Sequence, residues 1–102
     1  MYYIGIDISK FKHDCAVIDD SGEIVTPSWS FTNDAEGFSQ LKLLLNSLDT
    51  ETRIGLESTG HYGMNLKLFL ESNNFSFMEF NPLLINRFVK SYERLKAILL
   101  IA

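Results

Sequence analysis

The chain has 102 residues, enough for one modest hydrophobic core, and reads as a single domain over 1–102. It is 46% hydrophobic and 22% charged, the balance of a globular protein in water, and no apolar run approaches the length of a membrane span. Nine basic against thirteen acidic residues leave a net charge of −4, which argues against phosphate binding driven by charge alone but does not exclude nucleic-acid chemistry at a carboxylate cluster. The opening "MYYIGID" lacks the basic start of a secretory signal, so a cytoplasmic location is expected. The lone Cys15 has no partner for an internal disulfide and is expected to be a small buried residue.

The first third of the chain reads as three tightly joined strands. In the first, 2–8, Ile4, Ile6 and Ile8 alternate with Tyr3, Gly5 and Asp7, so one face is apolar and the other carries an acid. A second strand covers about 13–19 and a third about 23–31, with Asp20-Ser21-Gly22 as the hairpin signal between them. Pro27 cannot donate to a ladder, which places the third strand at a sheet edge. The period then changes. Phe38, Leu41, Leu44, Leu45 and Leu48 recur at helical spacing, and Asn33 with Glu36 resembles a capping box. "RIGLE", 53–57, is a short buried strand ending on an acid; "HYGMNLKLFLES" is a second helix and "FSFMEF", 75–80, a fifth strand. Asn81-Pro82 opens a third helix whose inner face is Ile85, Phe88, Tyr92 and Leu95.

The order βββαβαβα predicts an α/β fold, a mixed five-stranded sheet with flanking helices, the layout of a ribonuclease H-like domain. In that fold the first and fourth strands are neighbours. Asp7 and Glu57 would then converge from distant sequence at one edge of the sheet. Two carboxylates brought together repel unless a proton or cation intervenes, and a hard divalent cation such as Mg²⁺ prefers oxygen ligands. Paired metals about 4 Å apart can activate the attacking oxygen and steady the leaving oxygen in phosphodiester transfer. Against this stands the plain reading of two unrelated acids at strand ends.

"GIDISK" (5–10) and "ESTGHYG" (57–63) resemble two signature segments of the DEDD transposases of the insertion-sequence family IS-one-ten, and "NPLLINRFVKS" (81–91) resembles the segment that follows. The three come in the family's order and spacing across nearly the whole chain. The resemblance implies a RuvC-like catalytic domain acting on DNA with a guide RNA. It also implies a Mg²⁺- or Mn²⁺-dependent tetrad whose first Asp is Asp7 and whose Glu is Glu57. The family's other two acids lie in a T-D-x-x-D-A motif before a stretch like "LLIA" (99–102), but no Asp follows Asp49 and Glu93 is the only acid in "SYERLKAILLIA". Family members continue into a second domain that contributes a serine. The chain is therefore expected to bind metal weakly if at all, and to be inactive as a nuclease by itself.

Several residues near these acids have two readings. Lys10 and Lys12 can meet phosphates or belong to a solvated turn. Thr59 can contact phosphate or cap the second helix. His61 and Tyr62 can face DNA or pack, and His13, without a Cys or His at ligand spacing, reads as structural. The apolar run "AILLIA", 97–102, predicts self-association, hence a homodimer through the carboxy-terminal helix. Two other functions remain, the first of which fits the pattern less well. An actin-like ATPase or sugar-kinase fragment also starts strand–Asp–hairpin, but needs small residues after the Asp to cradle phosphate, and "DISKFKHD" has no Gly. A non-catalytic remnant that only pairs with itself or with an intact transposase is compatible with the family reading and is separated from it by showing no metal affinity.

Overall fold

The computed structural model describes residues 1–48, 50–57 and 61–80, with the side chains of Pro27, Ser28 and Phe80 left aside. Within them the elements run β1 (Tyr2–Asp7), β2 (Lys12–Asp19), β3 (Ile24–Thr32), α1 (Ala35–Ser47), β4 (Thr52–Glu57), α2 (Met64–Ser72) and β5 (Phe77–Phe80). The strands form one five-stranded sheet in the order β3-β2-β1-β4-β5. β1, β2 and β3 are an antiparallel meander, whereas β4 runs parallel to β1 and β5 parallel to β4. The mixed five-stranded sheet expected from the residue pattern is therefore present. The third helix expected from Asn81, Glu93 within it and the "AILLIA" tail lie outside the described residues. Among the described residues no helix is long and apolar enough to cross a membrane.

Both helices cover one face of the sheet. Ile4 and Ile6 of β1, Ile54 and Leu56 of β4, Cys15 and Val17 of β2 and Phe31 of β3 share a core with Phe38, Leu41 and Leu45 of α1 and Leu66 and Leu70 of α2. Removing each of the large aliphatic side chains from water contributes about 1.5–3 kcal/mol. A run of aromatic contacts ties the layers: Trp29 to Phe31, Phe31 to Phe38, and Phe38 to Phe69, with ring centroids 5.4, 6.5 and 5.3 Å apart. Cys15 is buried as expected, and burial pushes its thiol up to about 12.

Local chemistry explains where the elements begin and end. At the β2–β3 hairpin, Asp19 Oδ1 accepts from Ser21 N–H, Ser21 hydroxyl and Glu23 N–H at 2.9, 2.7 and 3.0 Å, and Gly22 takes φ 84°. Those bonds, the Ser21 hydroxyl first, hold the Asp19 carboxyl below the usual range. Pro27 lies in β3, at the sheet edge, beside a register shift between Cys15 and Val17. The cap of α1 is Asp34, not Asn33: its carboxylate accepts from Gly37 N–H at 2.9 Å and from the Thr32 hydroxyl at 2.6 Å. α1 then starts so close to β3 that a Cβ on Gly37 would stand 1.9 Å from the Thr32 carbonyl oxygen.

α2 begins at Met64, three residues later than its sequence pattern predicts. Its N-cap is Gly63, and His61 and Tyr62 belong to the preceding turn. Its far end closes with Asn74 at φ 63°, Phe75 N–H on the Leu70 carbonyl and Asn74 N–H on the Glu71 carbonyl, a Schellman arrangement. A Lys67–Glu79 ion pair links α2 to β5.

Candidate functional site

β1 and β4 end level with each other. Their parallel register pairs Ile6 with Leu56 and Asp7 with Glu57, so each strand finishes on a carboxylate at the same step of the pleat. The Ile8 N–H donates to the Glu57 carbonyl at 3.1 Å, carrying the ladder one residue past both acids. Since side chains alternate across a strand, Asp7 and Glu57 lie on the face opposite Ile6 and Leu56, away from the two helices. Glu57 is only 1% exposed and Asp7 is half-buried. Water therefore reaches the Asp7 side of the pair more readily.

A third acid stands on the same row. Asp14 of β2 is the antiparallel partner of Asp7, and its carboxylate accepts from the Ser30 hydroxyl at 2.6 Å. Residue types alone do not show this neighbour, because its place depends on the length of the loop between β1 and β2. Among the described residues no group of three or more His, Cys, Asp or Glu is arranged to hold a metal ion. Asp7 and Glu57 thus present two hard oxygen donors, a set suited to Mg²⁺ or Mn²⁺ rather than to a softer metal.

The loop following Asp7 is held from several sides. Ser9 N–H donates to His13 Nδ1 at 3.2 Å, which puts the proton of the neutral ring on Nε2, and the Ser9 hydroxyl donates to the Lys12 carbonyl. His13 is 0% exposed, and burial lowers its pKa, opposed by the Asn33 side chain and the charges of Asp14 and Asp7. The structural reading of His13 fits this burial.

Asn33 is the hub of the loop. Its N–H donates to the Phe11 carbonyl at 2.9 Å, and its side-chain amide donates to the carbonyls of Lys10 at 3.1 Å and Tyr62 at 3.3 Å. Here lies the reason that Asn33 does not cap α1: its amide joins the loop after Asp7 to the turn that follows Glu57. Gly63 reinforces the junction, since a Cβ there would stand 2.7 Å from Ile8 Cδ1.

The residues singled out around the acids are distributed as follows. Lys10 and Lys12 are exposed, and Lys10 Nζ lies 5.1 Å from the centre of the Phe11 ring. His61 is exposed, with its ring 4.9 Å from that of Tyr62. Asn33 thus brings the Lys10 and His61 segments together, Lys12 begins β2 beside them, and Thr59 lies outside the described residues. Phe11 escaped the sequence reading although "KFK" (10–12), an aromatic between two lysines in a loop, was the signal for it.

The model of the DEDD transposase family of the IS110 (IS-one-ten) type, described as Transposase, matches residues 4–96. The chain belongs to the DEDD transposase family. Membership supports a transposase-type function and makes DNA the partner to consider. The match takes in β1 from Ile4 onward and the whole of every later described strand and helix, with Asp7 and Glu57 inside it. No curated protein matches the chain. Similar solved structures include a crystal structure of the type II variant of the Aquifex aeolicus Ppx/GppA phosphatase, at 9% identity and a TM-score of 0.47, covering 80% of this chain and 36% of that one. Another Aquifex aeolicus PPX-GPPA enzyme structure has 11% identity and a TM-score of 0.44, covering 80% of this chain. The chain spans 36% of the length of each of these two proteins.

Proposed function

We propose that this chain is a ribonuclease H-like (RuvC-like) portion of a DNA transposase, and that Asp7 and Glu57 form half of a divalent-cation site. The observation that carries the reading is the register of β1 and β4: in a chain of a DEDD transposase family, it sets one Asp and one Glu side by side at the ends of adjacent parallel strands. The meander-then-parallel sheet order supports the ribonuclease H-like assignment. Bound Mg²⁺ or Mn²⁺ would supply charge stabilisation and an activated oxygen for phosphodiester transfer. The chain's own part is to hold Asp7 and Glu57 on one pleat, with the Ile8–Glu57 bond and the Asn33 ties fixing the strand end and the loop after it.

Two acids are too few to fix the geometry of a catalytic ion, since even loss of an outer-shell partner of a ligand costs about 10–100-fold in affinity or activity. The chain alone is therefore proposed to bind the cation weakly and to cleave DNA very slowly or not at all. In the intact family DNA, with a guide RNA, is the proposed partner. Pairing of two copies through the segment ending in "AILLIA" is a further proposal, to be read by light scattering at micromolar concentration.

Thermal melting tests the reading against a nucleotide-binding one. A ligand that binds only the folded state raises the melting temperature by mass action. Mn²⁺ should raise it and ATP should not. A shift with ATP and none with Mn²⁺ would overturn the proposal in favour of an actin-like ATPase or sugar-kinase fragment.

A further inference from the structure

The edge that carries the two acids also carries an aromatic surface of a different kind. Phe11 is 75% exposed in the loop after Asp7, and Tyr62 is 41% exposed in the turn before α2. They come from loops far apart in sequence, yet both carbonyls are hydrogen-bonded to the same residue, Asn33, at 2.9 and 3.3 Å. The cations are placed with them. Lys10 Nζ stands over the Phe11 ring, Lys12 begins the next strand, and the exposed His61 ring leans on Tyr62. No acid lies between Asp7 and Asp14 in the loop itself, which reads "ISKFKH".

We infer that Phe11 and Tyr62, with Lys10 and Lys12, form a stacking rim for unpaired bases of single-stranded DNA beside the Asp7–Glu57 pair. An exposed ring flanked by lysines takes a base on its face and the adjoining phosphate on the ammonium group, a combination tolerant of sequence. The lysines beside the rings favour an anionic partner, and a duplex hides the faces of its bases from such rings. The inference rests on the DNA-acting reading and goes further, naming the state of the DNA that reaches the acids. The chain's net charge of −4 makes binding by lysines alone weak, so the stacking contribution should be visible above it.

The test is fluorescence anisotropy of a labelled oligothymidylate titrated with the whole chain in EDTA at low salt. Saturable binding is expected. Phe11→Ala should weaken it on the order of tenfold, since stacking on an aromatic is worth about a factor of five to a hundred or more per base. Phe11→Trp should keep it, and Lys10→Ala with Lys12→Ala should flatten its salt dependence. Duplex DNA of matching length should compete poorly. Phe11 is exposed, so an unchanged melting temperature in Phe11→Ala is the control for folding. Equal binding by Phe11→Ala, equal competition by duplex, or tighter binding of oligouridylate would overturn the assignment to single-stranded DNA. EDTA keeps the outcome separate from metal chemistry. No DNA binding in a chain that still binds Mn²⁺ sinks the rim alone; DNA binding without any Mn²⁺ affinity upholds the rim and sinks the metal site.

Discussion

The two faces of β1 are made from alternate residues of one six-residue strand, and they are built on opposite rules. On the helix-covered face Ile4 and Ile6 are fully buried among Leu56, Leu66 and Leu70, and shape and apolar area are all that matter there. On the other face Gly5 is buried and Asp7 half-buried, paired across the sheet with Gly55 and Glu57 on one side and Ala16 and Asp14 on the other. That face gives up side-chain volume and gathers charge. The strand's stability and its chemistry are therefore separable, because neighbouring residues of β1 lie on opposite faces of the sheet. Substitutions on the two faces should therefore read out in different experiments.

Ile6→Ala or Leu56→Ala should destabilise the fold by about 2–5 kcal/mol in urea unfolding, the cost of a cavity between sheet and helices. Asp7→Asn, of the same size on the opposite face, should leave the midpoint far less changed; an equal loss would mean that the two faces are not independent. Gly37→Ala comes next, at about 1–3 kcal/mol, because its Cβ would meet the backbone of Thr32 and force α1 off β3.

His13 gives a readout in pH. Its folded pKa is lowered, so its contribution is complete above the ordinary imidazole range and is lost as pH falls through the lower folded value. Unfolding free energy against pH should decline on the acid side of that range, and His13→Asn should remove the part of the slope due to imidazole. The smallest effect is expected at Cys15. Its thiol, raised to about 12 by burial, should resist iodoacetamide in the folded chain and react only on denaturation.

Strand alternation, turn residues and helical spacing made the strands, the first helix and the helix-side core legible in the sequence, and the ribonuclease H-like layout implied that the first and fourth strands are neighbours. Ile4, Ile6, Phe38, Leu41 and Leu45 all fall where their periods put them. The pairing of Asp7 with Glu57 was legible too, since both end strands that neighbour each other in the expected topology. What was hidden depended on competition or on register. Asn33 and Asp34 are both good caps, and the sequence does not reveal that Asn33 is occupied by the carbonyls of Lys10, Phe11 and Tyr62. The start of α2 was misplaced because apolar spacing continues back into a turn that ends on Gly63. Asp14 joined the row of acids only through the antiparallel register of β1 and β2, and Phe11 was passed over although its place between two lysines of a loop pointed to its exposure.

The central claim, that Asp7 and Glu57 are two ligands of one divalent-cation site, is tested most directly by a calorimetric Mn²⁺ titration of the purified chain and of Asp7→Asn and Glu57→Gln. The account predicts weak, saturable binding that either substitution abolishes while the fold survives. No heat of binding in the unchanged chain, or binding that persists in both variants, would contradict it.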